Sequence, residues 1–402
     1  MPSLLFAAPA LLLFSPMTSA QEATDTNAAQ IAELNAKLDA LFAERSTPTA
    51  DASRLTVGGY GEYHANFIQD GAKYADPHRF VLYLGYDFGA GIQLHSETEI
   101  EHGFVASDNG EVSVEQLYAD IELGDAHYLS LGRMLNPLGR VNQHHEPTTI
   151  NGVERPGTET YILPSTWRQD GVGLRGSLDA EWSYELQLTS GLDGSSFDAT
   201  NGIRKGRLSE RPGLSDPAVS GRFDWTPAGV PALRFGASFY SGGADNGNQG
   251  VDPGVDARVD ILALDFDYSR GRLDLSGLLA ESHITGAAAL EAAFGSGVGK
   301  AQKGSYLEAG WHLLDRDVDR QDQRFPESDL VLFARVESYD TQSELPAGLL
   351  GDPTASRQET TLGIGWWLTP KFVLKADWQF LDYASGGPER PDQLNLGVGW
   401  ML

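Results

Sequence analysis

Residues 136–167 gather the side chains with the widest chemical range in this chain: Arg140, His144, His145, Glu146, Glu154, Arg155 and Glu159, set among Pro137, Pro147, Pro156 and Pro164. Imidazole and carboxylate are the usual ligands of zinc-like divalent ions, so His144-His145-Glu146, with His95 and Glu97 supplied from elsewhere, offers a metal site. Adjacent histidines point in different directions on most backbones, and ordinary hydrogen bonding within a loop is the competing reading; no resident metal or cofactor is expected. A second chemistry is electrostatic. Arg133, Arg140, Arg155 and Arg168 can form a basic ladder opposite an acidic row, giving a transverse field, unless Arg155 is used up by Glu154 or Glu159. Catalysis has no foothold. Ser165 lacks a positioned His and Asp, and no nucleophile elbow, phosphate-cradling loop or dinucleotide fingerprint opens a helix after a strand, so no catalytic residue is expected.

Bulk properties narrow the class. The formal net charge of −27 argues against nucleic-acid binding, which needs phosphate neutralisation. No cysteine is present among 402 residues, which fits an envelope compartment. Residues 4–14 are apolar and Thr18-Ser19-Ala20 follows, so residues 1–20 are expected to be a secretory signal. The n-region carries no Lys or Arg, and a single membrane anchor is the competing reading, against which the apolar stretch is too short.

Residues 21–53 form the next expected unit, a periplasmic helix and linker. Ile31, Leu34, Leu38 and Leu41 make a heptad stripe, read as a short coiled coil that supports an oligomer; a helix packed on its own domain is the alternative. Outside the N-terminus no run approaches the roughly twenty apolar residues a membrane helix needs.

From Leu55 onward the pattern has period two. In residues 80–88, Leu82, Leu84, Tyr86 and Phe88 share one side. In 91–101 the opposite side carries Gln93, His95, Glu97, Glu99 and Glu101. Leu262 and Leu264 oppose Asp265 and Asp267, Leu374 and Trp378 oppose Lys375 and Asp377, and Arg335 and Glu337 share a parity. The final strand sets Leu394, Leu396, Val398 and Trp400 against Asn395, Gly397 and Gly399. Greasy residues on one face and ionisable ones on the other suit a closed barrel with a wet lumen, although a sandwich with one solvated face would alternate too.

The connections discriminate better. Long ones at 67–78, 102–110, 136–167, 191–217, 242–257, 285–302, 340–356 and 384–391 alternate with short ones at 89–90, 124–126, 179–181, 270–271 and 368–371. Tight turns at one rim and long loops at the other are the habit of bacterial outer-membrane barrels. The fold class expected for residues 54–402 is therefore an all-β transmembrane antiparallel barrel of about sixteen strands, wide enough for an aqueous channel. Residues 314–328 sit in a short-turn position yet are long and charged, so either that turn is extended or the count is wrong by a pair. Trp366, Trp378, Trp400, Tyr86 and Tyr268 are expected in aromatic girdles.

Four stretches, Arg133-Met134-Leu135-Asn136-Pro137-Leu138-Gly139, His144-His145-Glu146-Pro147, Gly152-Val153-Glu154-Arg155-Pro156 and Tyr161-Ile162-Leu163-Pro164-Ser165-Thr166-Trp167, resemble outer-membrane porins of the phosphate-selective porin O/P family, as does Val57-Gly58-Gly59-Tyr60-Gly61-Glu62. The resemblance spans essentially the mature chain. It implies a sixteen-stranded trimeric diffusion channel of a Gram-negative outer membrane, in contact with lipid and lipopolysaccharide, with the third long loop folded inward. On that reading Arg140, His144, His145, Glu146, Glu154, Arg155 and Glu159 line the constriction. His95, Glu97, Glu99, Glu101, Asp265, Asp267, Arg335, Glu337, Lys375 and Asp377 coat the wall. The phosphate-selective members line their pores with many basic residues, whereas this chain has 29 basic against 56 acidic ones. Weak selectivity leaning to cations is expected, with small ions or solutes as cargo. The competing function is a non-conducting barrel that anchors or adheres through its long loops.

Overall fold

The computed structural model describes residues 54–103, 110–207, 212–244, 255–314, 324–384 and 387–402. The expected leader and coiled coil fall on residues outside these. Alternating side chains in the remainder build sixteen strands: β1 Leu55–Ile68, β2 Lys73–Gly89, β3 Ile92–Glu101, β4 Val112–Gly124, β5 His127–Leu135, β6 Arg168–Ser177, β7 Trp182–Thr189 and β8 Ala218–Trp225. The second half comprises β9 Leu233–Gly243, β10 Arg258–Arg270, β11 Leu273–Thr285, β12 Ala301–His312, β13 Asp329–Glu344, β14 Ser356–Thr369, β15 Phe372–Tyr383 and β16 Gln393–Met401.

Each strand pairs antiparallel with its sequence neighbours, and β16 closes on β1 in the register Tyr60↔Met401 to Ile68↔Gln393. Closure leaves the sheet no free edge, which removes the aggregation hazard of a terminal apolar strand. Apart from the bulges, the backbone donors and acceptors of each strand then find partners in the two neighbouring strands.

Side-chain parity confirms which face is which. On β10, Leu262 and Leu264 are 57% and 50% exposed, whereas Asp265 between outward neighbours is 4% exposed. The same inversion, apolar out and polar in, holds for Val336 against Arg335 and Glu337, and for Leu396 against Asn395. Trp366, Trp378 and Tyr86 are all exposed on the outer face, as girdle residues must be. A cation forced onto this face is costly. We expect Leu264→Arg, near the middle of β10, to destabilise the barrel by about 2–4 kcal/mol, measured by reversible urea unfolding in lipid vesicles.

Tight turns close one rim. Gly89, Ala90 and Gly91 all adopt positive φ between β2 and β3, and Gly271 (φ 62°) does the same between β10 and β11. The long connections occupy the other rim.

One expectation changes, one alternative is decided and one connection is added. Residues 67–78 are not a loop: β1 and β2 run on to a four-residue turn, 69–72, because a bulge between Glu62 and His64 takes up the strand around Pro77. β12 ends at His312 and β13 begins at Asp329, and each pairs with the other in the closed ring, so the strand count stands at sixteen across 314–328, most of which lies outside the described residues. A turn at 226–232, with Pro227, Gly229 and Pro231, separates β8 from β9 and was not singled out by alternation.

Sequence periodicity also missed an apolar core joining the long connections. Leu138, Ile162, Leu163 and Trp167 pack with Leu192, Phe197 and Ile203, with Leu290 of the short helix α1 Ala287–Phe294, and with Tyr240, Val259, Ile261 and Tyr306 of the strands. At the long-loop end of β10 the parity reverses in character: Val259 and Ile261 are buried while Arg258 and Asp260 are exposed. One side of the ring is thus packed by its own loops rather than left wet.

Candidate functional site

Segment 136–167 leaves the ring after β5, yet its hydrogen bonds reach strands on the far side. Val153 N donates to Asp377 Oδ2 of β15 (2.6 Å), Lys375 Nζ of β15 donates to Gly152 O (2.9 Å), and Asn66 of β1 donates to Glu154 Oε1 (3.0 Å). Arg335 of β13 bonds Glu154 O (3.3 Å), Thr158 N bonds Glu337 (3.1 Å), and Trp367 Nε1 of β14 bonds Thr148 O (3.1 Å). Gly397 and Gly399 of β16 are small for a physical reason, since a Cβ there would meet Val153 at 3.1 Å and Pro147 at 2.5 Å.

The segment is braced from within. Asn142 Oδ1 accepts from Trp167 N (2.6 Å) and its amide donates to the carbonyls of Asn136 and Trp167, pinching the two ends together. Glu159 is fully buried in a single π-helical turn, Thr158–Ile162. Burial pushes its carboxyl above the usual carboxylate range against the pull of Arg140. It accepts from Arg140 N (3.1 Å) and Tyr306 Oη (3.0 Å). Glu159→Leu orphans both donors. We expect a loss of about 1–3 kcal/mol per orphaned donor, read as faster protease cleavage within 136–167 while the barrel itself stays folded.

Polar cavities lie on both sides of the segment. One of about 490 Å³, towards the long-loop rim, is lined by Glu154, Arg155, Thr160 and Tyr161 of the segment together with Arg79, Arg168, Arg204, Arg207 and Arg390. Another of about 760 Å³, towards the short turns, is lined by Arg140 and His144 with Arg175, Glu185, Arg222 and Asp224. A third of about 470 Å³ shares Arg140 and Asp267 and adds Asn151 and Glu308.

All ten wall residues singled out from sequence have inward parity, but most are paired. Arg222 grips Asp265 through two bonds of 2.8 and 2.9 Å, and Arg140 donates from Nε to Asp267 (2.7 Å) and from Nη1 to Tyr306 Oη (2.7 Å). Arg335 pairs with Glu337 (3.1 Å) and Glu308 (3.3 Å). Glu97 accepts from Gln116 (2.6 Å), Glu99 lies 3.5 Å from Arg79, and His95 lies 3.3 Å from Asp120. Glu101 lines the long-rim cavity. The acidic row is therefore largely compensated.

The basic ladder assembles differently from its expected form. Arg133 points outward with the exposed Leu131 and forms a two-pronged pair with Asp170 (2.8 and 2.9 Å), because its place in β5 has outward parity. Arg155 takes neither Glu154 nor Glu159; it donates to Thr166 Oγ1 (2.9 Å) and lies 3.5 Å from His145 O. Beside it stand Arg204 and Arg207, from the connection between β7 and β8, bonded to the carbonyls of Thr160, Ser165 and Thr166. None of the three has a carboxylate partner among the described residues. Burial, reinforced by neighbouring arginines, draws Arg204 down to about 10 and Arg207 down to about 9. Sequence reading missed these two. Their signal was the run Arg204-Lys205-Gly206-Arg207, the densest basic cluster of an otherwise acidic chain.

The histidine pair splits. His144 is exposed in the short-rim cavity with Glu146 partly covered beside it, whereas His145 is 2% exposed. Burial opposes charge on His145, but Glu115 and Glu97 outweigh it and lift the imidazole to about 9. His145 thus meets Glu97, as expected, and Glu115, which alternation did not single out because a bulge between Glu97 and Thr98 displaces it.

Comparison with known proteins adds two things. A protein of Aquifex aeolicus (strain VF5), described only as uncharacterized, is 30% identical over 371 residues, covering 87% of this chain and 80% of that one. The chain belongs to that protein's family. No family model matches it. Among solved structures, the anion-selective porin from Comamonas acidovorans is similar over 87% of this chain and 99% of its own (TM-score 0.56, 14% identity). The outer-membrane channel DcaP of Acinetobacter baumannii covers 87% and 97% (0.55, 12%), and OmpF of Salmonella typhi in complex with daunomycin 87% and 97% (0.57, 12%). The chain therefore has a porin-like barrel fold.

Proposed function

We propose that the protein is an outer-membrane channel for passive diffusion of small hydrophilic solutes and ions, narrowed by segment 136–167 folded into its lumen. The observation that carries this is the pair of polar cavities flanking a segment hydrogen-bonded to Glu185 of β7 on one side of the ring and to β15 and β1 on the other. Arg140, His144 and Arg155 face these cavities and act on the permeating solute; His145 and Glu159 fix the segment from behind. The mechanism is equilibrium: a wet, charged path lowers the barrier to ions, and the segment sets the size limit.

The sign of selectivity follows from pairing rather than from total charge. With Glu97 and Glu99 compensated and Arg155, Arg204 and Arg207 free of carboxylates among the described residues, the long-rim cavity favours anions, the reverse of what the acidic composition suggests. Phosphate is one anion among several here, and membership of the phosphate-selective family rests on the sequence motifs alone.

The long loops are assigned to the cell exterior and both termini to the periplasm, with residues 1–20 removed on export and 21–53 acting as a periplasmic helix. A homotrimer is the assembly we favour; a structural neighbour, OmpT of Vibrio cholerae, is described in a trimer form. Lipid and lipopolysaccharide would surround the apolar outer wall. The apolar core packed inside one side of the ring favours one competing reading, a plugged barrel that anchors or adheres. Single-channel recording in planar bilayers separates the two: discrete conductance steps support the channel, and their absence from a correctly folded preparation supports the plug.

A further inference from the structure

Behind the segment, three polar atoms from three elements converge without a hydrogen bond between them. His145 Nε2 lies 3.4 Å from Glu115 Oε2 of β4 and 3.7 Å from Glu97 Oε1 of β3, and the three atoms all fall within 4.8 Å of one another. The residues are 2%, 1% and 1% exposed, and each of these three atoms is buried with no hydrogen-bond partner. Leaving one such atom unsatisfied in a protein interior costs about 1–3 kcal/mol, more for charged groups. Three in one place call for a common occupant.

The remaining atom of each group is held, and held in the sense that aims the free one inward. Glu97 Oε2 accepts from Gln116 (2.6 Å), Glu115 Oε1 accepts from Arg168 (2.9 Å), and His145 Nδ1 lies 2.9 Å from the carbonyl of Asn142. A ring that donates from Nδ1 to that carbonyl aims Nε2 at the gap, where a bound ion would displace the proton that the two carboxylates favour. Outer partners of this kind, which fix the tautomer of a histidine and the orientation of carboxylates, are the usual support of a metal centre. The spacing agrees. Donors about 2.1 Å from a four-coordinate zinc-like ion stand about 3.4 Å apart.

We propose that Glu97, Glu115 and His145 bind a divalent cation of the zinc class, one nitrogen and two carboxylate oxygens with the remaining position open to water. Tyr60 borders the site, its ring 5.8 Å from that of His145 and its hydroxyl also buried without a partner. The ion would tie segment 136–167 to β3 and β4, a connection that the described hydrogen bonds of His145 do not make. A second group, Asp76, His78 and His102, lies at the long-loop rim, but there Asp76 already bonds His102 at 2.6 Å and His102 is exposed. The buried group is the stronger because its donors are unsatisfied.

The binding claim does not depend on whether the barrel conducts. The full chain, folded in detergent and stripped with a chelator, is titrated with cobalt(II) while visible absorption is followed, then competed with zinc(II). We expect one ion per chain and the intense absorption of a four-coordinate site. His145→Ala, Glu97→Gln and Glu115→Gln should each weaken binding by roughly a hundredfold or more, beyond the tenfold to hundredfold loss on removing an outer partner. His144→Ala and His102→Ala should leave it unchanged. Heat-modifiable gel mobility confirms that each variant is a folded barrel. Failure of the wild-type chain to bind either ion at micromolar concentration overturns the proposal, as does binding that survives in His145→Ala and is lost in His102→Ala.

Discussion

Arg155→Gln, Arg204→Gln and Arg207→Gln combined should shift the reversal potential in a potassium chloride gradient from anion preference to cation preference. Each guanidinium acts on a passing ion with about 1 kcal/mol at 4 Å in water and several times that where protein crowds out solvent. Removing three such charges therefore alters the permeability ratio by roughly tenfold or more. Glutamine at positions 204 and 207 retains an amide donor in place of the guanidinium that bonds the carbonyls of Thr160, Ser165 and Thr166. A wild-type channel that already prefers cations, or a triple variant with an unchanged potential, would sink this account of selectivity. High salt should shrink the difference, because screening shortens to about 3 Å at 1 M.

Excising residues 143–160 and bridging the gap with a short flexible linker is expected to raise single-channel conductance several-fold and to admit larger sugars in a liposome-swelling assay. The segment touches β1, β13, β14, β15 and β16, so no other described connection stands between the two main cavities to the same extent. Asn142, Trp167 and the apolar anchors Ile162 and Leu163 remain, and they keep the segment's two ends together. Unchanged conductance would place the narrowest point elsewhere, most plainly in the apolar core.

Barrel architecture was legible because period two is unforgiving: one residue of slip carries a leucine such as Leu264 from lipid into the lumen and Asp265 the other way. Loop length was nearly as informative, and it even singled out the long connection at 314–328. The inside of the ring was not legible. Alternation says that Glu97 faces inward but not that Gln116 and His145 meet it. Glu115 was hidden by a bulge that breaks the very period used to read the strand. Arg204 and Arg207 lie in a connection with no periodicity at all, and their importance comes from lacking a carboxylate among the described residues, a property of three-dimensional neighbours. The cation lean rests on 56 acidic residues and on the inward row Glu97, Glu99 and Glu101, and neither composition nor parity sees which acids are already engaged.

The reach of segment 136–167 also sets a timetable. It is made early, between the fifth and sixth staves, yet Lys375, Asp377, Gly397 and Gly399, against which it rests, belong to the last two. Until the chain's tail has been laid down and stitched to its beginning, the segment has no bed to lie in. Maturation of this wall therefore runs from hollow to narrowed, and a chain cut short before β15 would be left with its inner strap unmoored.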